Sequence, residues 1–158
     1  MDLKGKHARH PLIGLVDETI RLNSRLRSVF AEVRSESALN DSEHMVLNAV
    51  VEAAAPPTVA QIGRSMGQAR QLVQRAANSL RDGGLITMVD NPAHKRAPLL
   101  VPTDTGLALK RDMDERAAVI AANLFAKGDE DAARQDIAAG TAILRAIRKQ
   151  LEARLRER

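Results

Sequence analysis

The chain has 158 residues, enough for one domain of ordinary size with its own core. It carries 24 Lys and Arg against 20 Asp and Glu, a net charge of +4 that favours anionic partners. It has no cysteine, which excludes disulfides, cysteine-ligated zinc and thiol redox sensing, and its only aromatic rings besides histidine are two phenylalanines, too few for a protein that stacks single-stranded DNA or RNA bases.

In chain order, residues from Pro11 to about Arg34 place Leu12, Val16, Ile20, Leu26, Val29, Phe30 and Val33 at near-helical spacing, predicting one long amphipathic helix. Asn40 caps a second helix, with Glu43 in capping-box position and Met45, Val46, Val50 and Val51 turned inward, until Pro56-Pro57 ends it. Thr58 to Gly67 reads as a short capped helix closed by glycine. Gln68 to Asp82 reads as another, stopped by Gly83-Gly84. Leu85 to Asp90 and Leu99 to Val101 are short apolar strands joined by Asn91-Pro92-Ala93-His94-Lys95-Arg96-Ala97-Pro98. Two short helices followed by such a hairpin form a winged helix, a module that mostly binds duplex DNA.

After the hairpin, Thr103 caps a long segment from Asp104 to about Lys127, with Leu107, Met113, Val119, Ile120 and Leu124 inside, and Gly128-Asp129 breaks it. From Glu130 to about Leu155, Ala133, Ile137, Gly140, Leu144, Ile147 and Leu151 recur at steps of four and three, a seam suited to a partner helix. The fold expected is mainly α with a small β-hairpin. A single domain, 1–158, has a winged-helix unit at 40–103 and dimerisation helices at 11–36 and 104–156. A two-fold dimer would match a pseudo-palindromic operator in double-stranded DNA.

The reading chemistry lies on the helix from Gln68 to Asp82. Leu72, Val73, Ala76, Ala77 and Leu80 form its apolar face, and Arg70, Gln71, Gln74, Arg75 and Asn78 fall largely on the other. Arginine can bond guanine through two hydrogen bonds, and glutamine or asparagine can do so to adenine. Gln68, near the helix start, joins this set, as does Thr58 at the head of the preceding helix. In the hairpin loop, His94, Lys95 and Arg96 would reach phosphate or the minor groove. Between Thr58 and Pro98 the cations Arg64, Arg70, Arg75, Arg81, Lys95 and Arg96 face only Asp82 and Asp90, an excess equal to the +4 of the whole chain.

The order of elements resembles the MarR family of bacterial winged-helix regulators. So do Gly67-Gln68-Ala69-Arg70-Gln71-Leu72-Val73-Gln74-Arg75, Leu80-Arg81-Asp82-Gly83-Gly84-Leu85-Ile86, and the run from Asn91-Pro92 through Lys95-Arg96 to Leu100-Val101-Pro102-Thr103-Asp104-Thr105-Gly106. The resemblance implies an obligate homodimer joined through helices from both chain ends and usually acting as a repressor. It also implies a small, often aromatic or phenolic, effector held between those helices and the reading head. The family's wing carries Asp-x-Arg; here the matching positions are His94 and Arg96, so the usual carboxylate is missing from the wing.

No ligand-binding residue is legible, and an effector pocket would be aliphatic, with Phe30 or Phe125 as its only rings. His7, His10, His44 and His94 are scattered, so no metal and no cofactor is expected. Asp129-Glu130-Asp131 reads as a favourable partner of a helix dipole. No phosphate loop, nucleophile elbow or metalloprotease motif is present, so no catalytic residue is assigned and an enzyme is not expected. No apolar run is long enough to span a membrane, and the polar start lacks an apolar signal core, so the expected location is the cytoplasm. The competing readings are a winged-helix protein-interaction module and a nonspecific architectural DNA-binding protein.

Overall fold

Two capping boxes frame the computed structural model, which describes residues 10–124 and 130–157. Asn40 accepts from the Ser42 and Glu43 amides, and Glu43 accepts from the Asn40 amide in return, which starts α3 (Asp41–Val51). Thr58 and Gln61 make the same exchange at the head of α4 (Val59–Met66). Gly67 ends α4 at φ 63°, a left-handed conformation natural to glycine, and the Gln68 amide donates back to Gly63 O at 2.8 Å. The next helix, α5 (Arg70–Asp82), therefore begins two residues later than expected, with Gln68 and Ala69 in the turn. α3 likewise stops at Val51, ahead of Pro56-Pro57.

The hairpin pairs β1 (Ile86–Val89) with β2 (Leu99–Pro102) antiparallel, in register from Ile86 opposite Pro102 to Val89 opposite Leu99. The Leu100 amide donates to Pro57 O at 2.8 Å, tying the sheet to the segment that enters α4. One core joins these pieces: Val46, Leu47 and Val50 of α3, Val59 and Ile62 of α4, Val73, Ala76, Ala77 and Leu80 of α5, and Ile86 and Leu100 of the hairpin. The mostly helical chain with its two-stranded wing is a winged-helix fold.

The expected first helix is in fact two, α1 (Pro11–Val29) and α2 (Ala31–Glu36). Phe30 breaks it with φ −98° and ψ 19°; beyond it Val33 is buried, while α1 buries no residue. The Arg34 guanidinium turns back to Arg27 O, and both arginines meet Asp41 at the start of α3. The bond from Arg27 holds the Asp41 carboxyl below its usual pKa, against the upward pull of burial.

His44 lies buried beside this corner with Nε2 2.8 Å from Ser37 Oγ. Ser37 donates its one proton to Arg34 O, so its oxygen accepts from the histidine ring and from the Leu39 amide. Burial lowers the His44 pKa most; the Arg34 carbonyl opposes this, Arg34's charge adds to it, and Asp41 and Glu43 oppose it, for a net downward direction. A histidine depressed in the folded state contributes stability that is complete above its unfolded value near 6.5 and is lost as the pH falls below it. Denaturant titrations should therefore show stability falling on acidification from pH ~7.5 to ~5.5, with a shallower fall in His44→Gln. Equal slopes in the two proteins would show that His44 is not the group responsible.

Thr103 caps α6 (Asp104–Leu124): its hydroxyl accepts from the Gly106 amide at 3.1 Å and donates to Gly84 O at 2.7 Å. The face of α6 turned inward matches the expected one only at Met113 and, in part, Ile120. Gly106, Lys110 and Met113 are buried, Ile120 is half-buried, and Leu107, Val119 and Leu124 are exposed. Close approach of Gly106 to the Leu85 backbone fixes the rotation, and positions four and seven further on follow it inward. Lys110, only 7% exposed, bonds Asp114 at 2.5 Å and Glu52 at 3.2 Å, joining α6 to the end of α3. Burial alone would lower the lysine's pKa; its bonds to Asp114 and Glu52 outweigh that and raise it.

The final helix, α7, runs Glu130–Arg156. The chain forms two compact units divided after Ala117, within α6. The expected break at Gly128-Asp129, and Phe125 and Lys127, lie outside the described residues.

Candidate nucleic-acid interface

α5 packs through Val73, Ala76, Ala77 and Leu80, and this fixes which of its residues face outward. Arg70, Gln71 and Arg75 are exposed. Gln74 and Asn78, one turn apart, are half-buried, with Gln74 Nε2 donating to Asn78 Oδ1 at 3.1 Å. The pair is thereby orientated, while the Gln74 carbonyl and the Asn78 amide keep hydrogen-bonding capacity to spare. Ala69 at the N-cap offers no side-chain bond, so the first amides of α5 have no side-chain partner. Gln68 and Arg70 border the same shallow concavity as Arg64, at the turn between α4 and α5.

Thr58 does not join this surface. It is 8% exposed, and its hydroxyl is engaged with Gln61, accepting from the backbone amide and donating to the side-chain oxygen. Its place is structural: it sets the start of α4, against which α5 packs.

His94, Lys95 and Arg96 are all exposed at the wing tip. The loop is two successive turns, His94 N to Asn91 O at 3.1 Å and Ala97 N to His94 O at 2.9 Å. Asn91 braces them, Oδ1 accepting from Ala93 N at 3.0 Å and Nδ2 donating to Ala97 O at 2.9 Å. The sequence signal for this role is Asn-Pro at a turn start, where asparagine commonly bonds the backbone ahead of it.

The charge distribution sharpens the expectation from sequence. Arg81 bonds Asp82 at 2.8 Å and leaves the free set. Among the described residues no carboxylate pairs with Arg64, Arg70, Arg75, Lys95 or Arg96. Cations held without carboxylate partners repel one another, a cost relieved by an anion laid across them.

Among the described residues no group of three or more His, Asp or Glu side chains is placed to hold a metal ion, and no helix is long and apolar enough to cross a membrane. A concavity of about 480 Å³ at the end of α3 and the start of α6 is lined by Val51, Glu52, Asp104, Leu107, Lys110, Arg111 and Asp114. Five of its seven lining residues are charged, and Phe30 is not among them.

A model of the MarR family matches residues 39–97, the segment from the start of α3 through the wing. Uncharacterized protein Rv2011c of Mycobacterium tuberculosis (strain ATCC 25618 / H37Rv) is 35% identical over 106 residues, 67% of this chain and 73% of that protein. A MarR transcriptional regulator from Methanosarcina mazei Go1 has the same fold, with TM-score 0.73 and 16% identity over 87% of this chain and 99% of that one. Bordetella bronchiseptica BpsR, whose DNA binding is regulated by 6-hydroxynicotinic acid, is similar with TM-score 0.61 and 21% identity, over 85% of this chain and 90% of that one. With its winged helix, its matched segment and these relatives, the chain belongs to the MarR family of transcriptional regulators.

Proposed function

We propose that the protein is a sequence-specific, double-stranded-DNA-binding regulator that works in the cytoplasm as a homodimeric repressor and is released from its operator by a small ligand. The observation that carries this reading is the outward face of α5. Arg70, Gln71 and Arg75 stand exposed on a helix whose other face is locked in the core. Arg70 and Arg75 supply guanine-reading forks, Gln71 and the Gln74–Asn78 pair supply adenine-reading amides, and Gln68 lies at the helix entry. Lys95 and Arg96, with His94 beside them, grip the backbone or minor groove from the wing. A small-molecule effector is supported by analogy with BpsR, whose DNA binding such a ligand regulates.

The direct test is binding to the intergenic DNA beside the protein's own gene, near physiological salt and with excess random duplex. Two subunits per site and a footprint with half-sites about 10 bp apart are expected. Binding abolished by the competitor would point to an architectural protein or an interaction module. Within the operator complex, Arg70→Ala or Gln71→Ala should cost about 1–3 kcal/mol and relax preference at one position per half-site. Equal losses on operator and random DNA would overturn base reading. Lys95→Ala should weaken both duplexes alike and reduce the salt slope by about one for each phosphate the lysine neutralises.

A further inference from the structure

We infer that Asn91 is the positioning residue of the wing, its side-chain amide closing the loop so that Lys95 and Arg96 are presented to DNA in one arrangement. The inference rests on the regulator reading for its consequence and on geometry for its substance. The strand ladder ends at Val89 opposite Leu99, so the loop beyond it has no cross-strand pairing to hold its shape. Three polar atoms of Asn91 replace the ladder. The backbone oxygen accepts from His94 N at 3.1 Å, Oδ1 accepts from Ala93 N at 3.0 Å, and Nδ2 donates across the loop to Ala97 O at 2.9 Å.

The first two bonds shape the ascending half, and the third closes the base on the descending half. Lys95 and Arg96 lie inside that closed segment, in the second turn, between His94 O and Ala97 N. Among the described residues the His94 ring makes no hydrogen bond, and the side-chain bonds within the loop are those of Asn91. Only an amide serves both side-chain bonds: aspartate can accept from Ala93 N but has no proton for Ala97 O. Without the brace the two basic side chains would be ordered at the moment of binding, which weakens the complex while every DNA contact is still made.

Limited trypsin digestion of the full chain without DNA, read by mass at Lys95 and Arg96, tests the brace alone. Asn91→Ala and Asn91→Asp should both be cut about five- to tenfold faster than the parent, at an unchanged unfolding temperature. Cutting at the parent's rate in either variant would overturn the inference. Salt titrations on a duplex containing the intergenic sequence test its consequence. Asn91→Ala should weaken binding with operator preference unchanged, and should have no further effect in a Lys95→Ala/Arg96→Ala background. An undiminished effect in that background would show that Asn91 does not act through the tip. If the parent chain binds no duplex, the regulator reading fails and the proteolysis still decides the brace.

Discussion

Gly106→Ala is expected to unfold roughly 6–12 °C below the parent chain, the shift that a loss of about 3 kcal/mol produces at this size. A Cβ built on Gly106 would lie 2.0 Å from Leu85 O and 3.0 Å from its carbonyl carbon, far inside contact distance. Neither side can yield. Leu85 O accepts from Thr103 N at 3.1 Å, Leu85 N donates to Leu80 O at 2.8 Å, and Thr103 Oγ1 holds Gly84 O at 2.7 Å. The start of α6 is thus pinned to the turn leaving α5, and the added methyl must break one of these bonds. Helix propensity acts in the opposite direction, favouring alanine by about 1 kcal/mol, so the steric term decides the sign. Thr105→Ala, one residue away and exposed, should leave the unfolding temperature nearly unchanged. A Gly106→Ala protein with the parent's unfolding temperature would show that α6 can lift from the turn at little cost.

The same contact marks the line between what the sequence discloses and what folding adds. Helix starts are written locally: Asn40 with Glu43, Thr58 with Gln61 and Thr103 with Gly106 each close within three residues, so pattern alone finds them. Gly67 and Gly84, at φ 63° and 71°, are equally local signals. The outward set on α5 is legible because its apolar residues keep helical period and leave the polar ones a single face.

What pattern does not disclose depends on partners distant in sequence. Nothing at Phe30 signals a break; it is Asp41, drawing in Arg27 and Arg34, and the burial of Val33 that accompany it. Lys110 reads as a surface lysine until Glu52, 58 residues earlier, is beside it. On α6 the expected Met113 is buried, but Gly106 and Lys110 are buried in place of the expected Leu107, because the helix start is set against Leu85 and not by its own apolar pattern. At Thr58 the residue type suits both a phosphate contact and a cap, and only burial separates the two.

Ile137→Glu/Leu144→Glu is expected to make the protein monomeric and to lower its affinity for a two-half-site duplex by about 10²–10⁴-fold. α7 spans 27 residues with Ala133, Ile137, Gly140, Leu144, Ile147 and Leu151 at alternating steps of four and three. Ile137, Leu144 and Leu151 are exposed in the single chain, as are Leu12, Val16, Ile20 and Leu26 on α1. Helices at both ends that leave such rows uncovered are poorly explained as a self-sufficient monomer, since apolar contact supplies most of a helix's stability in a protein. In the proposed homodimer a second copy of the chain would cover both rows and bring two reading heads to one DNA. Once one head is bound, the other binds at the high effective concentration set by that linkage. Glutamates in the seam repel across a symmetric contact and oppose its burial. Sedimentation should therefore give half the parent's mass, with the affinity for a lone half-site changed little and the winged-helix unit still cooperatively folded. A variant that stays dimeric and keeps full operator affinity would place the dimer contact away from α7.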